Sequence, residues 1–368
     1  PHVVVHLIFG GEKWHTLKEP DHVVAKCFSQ VNMIRGNKQM NLKKDKLFLT
    51  IGLLFSLLFL PACGKKQISV PKPPKNMQPI TNKIATQENY AAKQEQLEQF
   101  VNKKMVTKQG IYTAYSSGSE PDEQKLARRA FLSESAGFWL QYLVGQDKKK
   151  EFNDFYQRTK TTFYQQKQAQ FAYQYDPKTK KQSVSNAGLD DLRIMRALLM
   201  YDSKYRSTKY QKEINILYNS YRQHLIKGKG EIASFYDTKA KRSARVSPLA
   251  YYDLKTLRFL EGQGKKGRET YARQLKLVQK GYLGEVFPLY AAQYDGDSGQ
   301  YSTKNLNTSE ALVVLLHLAE VGKLRPASLA WLKEQVDQQS LRNSYTISGR
   351  IVDNSSSTGN YALAALIF

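Results

Sequence analysis

The stretch TSEALVVLLHLAEVG, residues 308–322, sets how the rest of the chain is read. Thr308 can cap a helix, Glu310 stands in the first turn where the helix dipole favours negative charge, and Gly322 supplies a stop. Segments with the same grammar recur on both sides. Residues 87–106 are polar and Gln-rich. Residues 122–145 carry Leu126, Ala130, Phe131, Ala136, Leu140, Leu143 and Val144, and residues 147–167 place Phe152, Phe155, Tyr156 and Phe163 at helical spacing. Further helices are predicted over 190–201, 209–226, 248–262, 267–280, 326–338 and 359–368. Ten helices with short connections and few runs of strand alternation give an all-α domain. Between them lie turns rich in Gly, Asp, Ser and aromatics, such as AYQYDPKTKKQSVSNAG (172–188) and YAAQYDGDSGQYSTKN (290–305). Helical hairpins of this kind stack into a solenoid or close into a ring, and periodicity alone does not choose between them.

Upstream of the helical region the chain changes character. The apolar run Leu47–Leu60 has fourteen residues, short of the roughly 20 needed to span a bilayer. Met40 and the basic MNLKKDK segment precede it, and Leu60-Pro61-Ala62-Cys63 closes it. That order is the layout of a signal peptide ending in a bacterial lipobox, so residues 40–62 are expected to be a signal peptide and Cys63 the lipidated first residue of an outward-facing chain. Residues 1–39 hold four of the six His and no apolar period, and read as a non-native upstream segment with Met40 as initiator. Residues 63–86, rich in Pro, Lys and Asn, are expected to be a tether, and 87–368 the folded domain.

Charge and cysteine usage narrow the chemistry. Of 56 Lys and Arg and 32 Asp and Glu, eight and four precede Cys63, which leaves the exported part a surplus of 20 positive charges. An anionic envelope of lipid headgroups, wall polymer or acidic polysaccharide is the expected neighbour. Nucleic acid is not, since no recognised binding motif is present. From Cys63 onward there is one cysteine, so neither an intramolecular disulfide nor a thiolate metal cluster can form. Only His224 and His317 remain there, far apart on predicted helices, so a histidine triad or zinc site lacks parts. No phosphate loop or dinucleotide fingerprint occurs, and no cofactor is expected.

Two segments could carry chemistry. In FLSESAGFW (131–139), Glu134 sits among apolar and aromatic residues near a helix start. It is either an ordinary first-turn glutamate or a carboxyl desolvated enough to act as a general acid. In NAGLDDLRI (186–194), Asp190 and Asp191 open a helix, either to complement its dipole or to point one carboxylate into a groove.

In order and spacing, these segments resemble glycoside hydrolase family 8, whose members carry a Ser-Glu-Gly-like acid motif and later an Asn-Ala-Thr-Asp-x-Asp-Leu-like motif. Ser133-Glu134 and Gly137-Phe138 match the first, with Ser135 where the family has Gly. Asn186-Ala187 and Asp191-Leu192 match the second, RIMRALL continues it, and STGNYALAALI is similar to the closing helix. The likeness runs over residues 105–368 and looks most like the lipoproteins of Gram-positive exopolysaccharide loci. It implies an (α/α)6 barrel with a groove across one end, an inverting endo-hydrolase of a secreted β-linked polysaccharide, and exopolysaccharide synthesis machinery as partner. Glu134 would be the acid. The first aspartate of the second motif falls on Leu189, so its role passes to Asp190, to Asp191, or is lost. The aspartate that activates water in the family has no counterpart before Thr308; Asp253, Asp295 and Asp297 lie nearby without matching its motif. An inverting site needs the two carboxyls about 6.5–9.5 Å apart. With the base unassigned, the rival reading is a non-catalytic polysaccharide-binding or assembly lipoprotein. Aromatics in loop and helix-start segments are expected to stack on sugar: Tyr173, Tyr175, Tyr236, Tyr251 and Tyr252, with Asp253 beside them.

Overall fold

The computed structural model describes residues 68–73, 88–113, 115, 130–262 and 264–368, all within one compact unit. Residues 1–62, the expected signal peptide among them, and Cys63, expected to carry the lipid, lie outside the described residues. Among those described, no helix is long and apolar enough to cross a membrane.

Among the described residues ten α-helices follow in the expected order: α1 (Glu88–Lys104), α2 (Ser133–Gly145), α3 (Lys149–Phe163), α4 (Gly188–Lys204), α5 (Gln211–His224), α6 (Leu254–Glu261), α7 (Gly264–Lys280), α8 (Thr308–Ala319), α9 (Pro326–Asp337) and α10 (Thr358–Ile367). They alternate between two layers. Helices α2, α8 and α10 are mainly apolar, and α4, which also carries Asp190, Asp191, Arg193, Arg196 and Asp202, is buried along nearly its whole length. Helices α3, α5 and α7 are amphipathic, burying Phe152, Phe155 and Tyr156, or Ile214, Leu217 and Tyr218, and leaving the opposite face wet. The core lies between the layers, and α4 packs on α2 along its inner face.

Helix bounds differ from expectation where a turn competes with the helix. Phe131–Leu132, expected to be helical, forms a short strand, β1, because it pairs antiparallel with Gln174–Tyr175. Thr308 was expected to cap α8; Asn307 does so, accepting from Glu310 N at 3.2 Å, while Thr308 Oγ1 donates to Arg342 O at 2.6 Å. Residues 164–165 leave the helical pattern as a strand, β2, paired with Gln170–Phe171.

The turns repeat one device. Three hairpins begin Tyr-Asp: Tyr175-Asp176, Tyr236-Asp237 and Tyr294-Asp295. In each, the Asp Oδ1 accepts backbone N–H groups two and three residues on. The fourth residue after the Asp takes a positive φ: Lys180 at 55°, Lys241 at 51° and Gly299 at 73°. This closes a four-residue loop and returns the chain to the sheet. Asp295 and Asp297 are exposed residues of such a turn, and the Asp295 carboxylate is spent on holding it.

Part of the segment expected to be tether is anchored. Asn219 and Asn215 on α5 accept from Ile68 N (2.9 Å) and Val70 N (2.7 Å), and Val70 is 2% exposed.

Candidate active site

The site is assembled at the N-terminal ends of inner helices. Strand β1 delivers the chain into α2, where Ser133 N donates to Tyr173 O at 3.0 Å. The helix has no side-chain cap; the Ser133 hydroxyl instead donates to Asp190 Oδ2 at 2.8 Å, reaching across to the first turn of α4. Close approach of the two helices depends on Gly137, where an added Cβ would lie 3.0 Å from Arg193 Cβ.

One turn into α4, Arg193 points back at both carboxyls. Its Nη1 lies 2.8 Å from Glu134 Oε1 and 3.3 Å from Asp190 Oδ1, and its guanidinium covers the Phe138 ring at 4.4 Å. Glu134, Asp190 and Arg193 are each about 5% exposed. One cation therefore serves two buried carboxyls. Burial raises Glu134 to about 8, against the pull of Arg193 and with help from the charges of Asp190 and Glu310. Burial likewise raises Asp190 to about 6, with Arg193 and the Ser133 hydroxyl opposing. The cluster holds a proton near neutral pH, as a general acid requires.

The two adjacent aspartates separate in role. Asp191 turns into local scaffolding: Oδ1 accepts from Phe171 N (3.0 Å) and Oδ2 from Asn186 Nδ2 (2.7 Å), while Asn186 Oδ1 accepts from Tyr236 N (2.6 Å). It ties three loops to the start of α4. Burial raises it to about 7. Asp190 is the one placed with Glu134.

Of the expected aromatics, Tyr251 comes to the site. It lies on a 3₁₀ turn, Leu249–Tyr251, and burial first, then the charges of Asp190, Glu310 and Glu134, push its phenol upward. Tyr173 is half-buried and carries the backbone anchor of Ser133. Tyr175 leans on Phe131 at 6.3 Å and Tyr236 on the His224 ring at 4.0 Å, so each has one face against the body of the protein. Tyr252 was expected to be exposed and is not. It is fully buried, its hydroxyl 2.6 Å from Ser247 Oγ and accepting from Ile232 N at 3.1 Å.

Asp253 is also removed from sugar contact. It caps α6, accepting from Thr256 N (3.0 Å) and Thr256 Oγ1 (2.7 Å), and faces Arg196 at 3.4 Å. Burial alone would raise its carboxyl, but Arg196 and His317 outweigh that and hold it low. Asp253, His317 and Glu320 offer ligand atoms within 4.8 Å of one another, a cation-sized arrangement. Arg196, paired with both Asp253 and Glu320, already brings the positive charge there.

Sequence reasoning missed Arg193 and Glu310 as members of the site. An arginine three residues after Asp190, between the apolar Leu192 and Ile194, was the available signal: a buried guanidinium needs an acidic partner. Glu310 was visible only as a first-turn residue of α8, yet its charge reaches both Glu134 and Tyr251. It also lines a small cavity of about 10 Å³ with Asn307, Tyr290 and Ala250.

No family model matches the chain. It is similar to YdaJ of Bacillus subtilis, a lipoprotein by name, with 23% identity over 211 residues covering 56% of this chain and 55% of that one. The chain thus spans about half the length of the curated relative it matches. Among solved structures, an α-amylase from Clostridium perfringens superposes with a TM-score of 0.66 at 25% identity, covering 74% of this chain and 80% of that one. Endoglucanase Cel10 from Klebsiella pneumoniae, a family 8 glycosyl hydrolase, superposes with a TM-score of 0.59 at 14% identity, covering 73% and 88%. The fold of this chain is the (α/α)6 barrel of the family 8 glycosyl hydrolases, as the sequence resemblance implied.

Proposed function

We propose that the protein is a glycoside hydrolase acting on a polysaccharide outside the cytoplasm, anchored by a lipid on Cys63. The observation that carries this is the buried Glu134–Arg193–Asp190 cluster at one end of a carbohydrate-hydrolase barrel. Glu134, whose carboxyl stays protonated to about 8, donates a proton to the glycosidic oxygen as the bond to the anomeric carbon breaks. Asp190, fixed by Ser133 and Arg193, binds the sugar at the cleavage subsite and lends its negative charge to keep Glu134 protonated. Tyr251 offers a ring and hydroxyl beside them. Glu310, whose charge acts on both Glu134 and Tyr251, is the carboxylate we assign as the base that draws a proton from the attacking water.

Endo action with inversion on a β-linked exopolysaccharide, in concert with its synthesis machinery, is the specific form of this reading. An α-amylase among the structural neighbours makes linkage the first variable to test. Glu310→Gln should lower kcat by about 10²-fold or more with KM little changed; full activity in that variant would remove Glu310 from the mechanism.

A second reading is favoured by one contact. The 2.8 Å approach of Arg193 to Glu134 stabilises the ionised carboxylate, as in a barrel that binds polymer without cutting it. Equal polymer binding by wild type and Glu134→Gln, with no reducing ends released by either, would select it.

A further inference from the structure

Helix α7 carries six basic residues, Lys265, Lys266, Arg268, Arg273, Lys276 and Lys280, against one acid, Glu269. Lys276 and Lys280, one turn apart, face Lys323 and Arg325 from the α8–α9 connection. The four cations surround an open concavity of about 380 Å³, and buried Tyr290 forms part of its wall. Among the described residues Lys276, Lys280 and Lys323 make no ion pair, and Arg325 has one partner, Glu285, at 3.8 Å. Arg325 is held in place over the Tyr282 ring at 4.2 Å. The start of α9 at Pro326 adds its partial positive charge to the same rim.

Like charges crowded into one hollow repel each other, and an anion relieves that repulsion. We propose that this pocket binds carboxylate or phosphate groups carried on a carbohydrate chain. The carbohydrate identity rests on the hydrolase reading above; the anion preference rests on the pocket alone. Two observations favour a polymer over a membrane. The site is concave, of a volume suited to a ligand group rather than a flat surface. Tyr290 also lines the small cavity beside Glu310, so one side chain borders both hollows.

The test is calorimetric titration of the full chain with alginate oligosaccharides, neutral dextran oligosaccharides of equal length, and phosphatidylglycerol vesicles. The same titrations are run on K276E/K280E/K323E, with thermal melting to confirm that it folds. Alginate should bind at low salt, weaken as salt rises, and bind at least about tenfold less tightly to the triple variant. Dextran should show no charge-dependent affinity. Equal alginate affinity in the variant would overturn the proposal, as would equal affinity for dextran, or binding to vesicles without binding to alginate. Binding is read without turnover, so alginate affinity in a chain that releases no reducing ends would uphold the pocket while rejecting the hydrolase.

Discussion

Replacing Glu134 by glutamine should make the protein more stable, and increasingly so as pH rises. Glu134 is 4% exposed, and burial lifts its carboxyl from 4.5 to about 8. Between those values the folded chain holds a proton that the unfolded chain has released. The stabilisation is therefore fully present below pH 4.5 and is lost as pH rises through 8. Each pH unit in that window costs the wild type up to about 1.4 kcal/mol. From pH 5 to pH 7 the loss is on the order of 2–3 kcal/mol, which Glu134→Gln escapes. The variant also leaves Arg193 to serve Asp190 alone, one cation for one carboxylate. Urea denaturation of both proteins at pH 5, 6 and 7 reads the effect as a gap in midpoint that widens with pH. A constant gap, or a variant destabilised by the same amount at every pH, would mean that Glu134 is ionised throughout and the reasoning is wrong.

Asp253→Ala should destabilise by about 3 kcal/mol or more in urea denaturation, because it removes the α6 cap and strips Arg196 of a buried partner. Tyr252→Phe should cost about 1–2 kcal/mol in thermal melting and leave KM unchanged, since its hydroxyl serves Ser247 and Ile232 rather than substrate. Gly137→Ala should cost about 1–3 kcal/mol and also lower kcat, because the added methyl pushes on Arg193, which positions Glu134; unchanged kcat in a folded variant would separate Arg193 from catalysis.

The order of the described helices was legible because most carry apolar residues at helical spacing, even where, as in α2 and α4, no side chain caps the start. Thr308–Ala319 shows how far that goes: its start and type are read correctly, but the cap moves to Asn307 because Thr308 is drawn to Arg342 across space. Phe131–Leu132 was misread for the same reason, since a two-residue strand exists only through its partner, Gln174–Tyr175, far along the sequence. Within the site, Glu134 and the Asp190–Asp191 pair stood out as acids in apolar surroundings. Which aspartate faces Glu134 was not legible, because adjacent residues on a helix point about 100° apart and the sequence does not mark the inner side. Tyr251 and Tyr252 show the same limit: neighbours on one turn, one reaches the carboxyl cluster and the other is sealed in the core.

The central claim is that Glu134 protonates a glycosidic bond. Reducing-end release by the full chain, measured on a panel of α- and β-linked polysaccharides beside Glu134→Gln, tests it most directly. The account predicts release from at least one polymer by the wild type and a fall of about 10²–10⁴-fold in the variant. Release that persists undiminished in Glu134→Gln would contradict it.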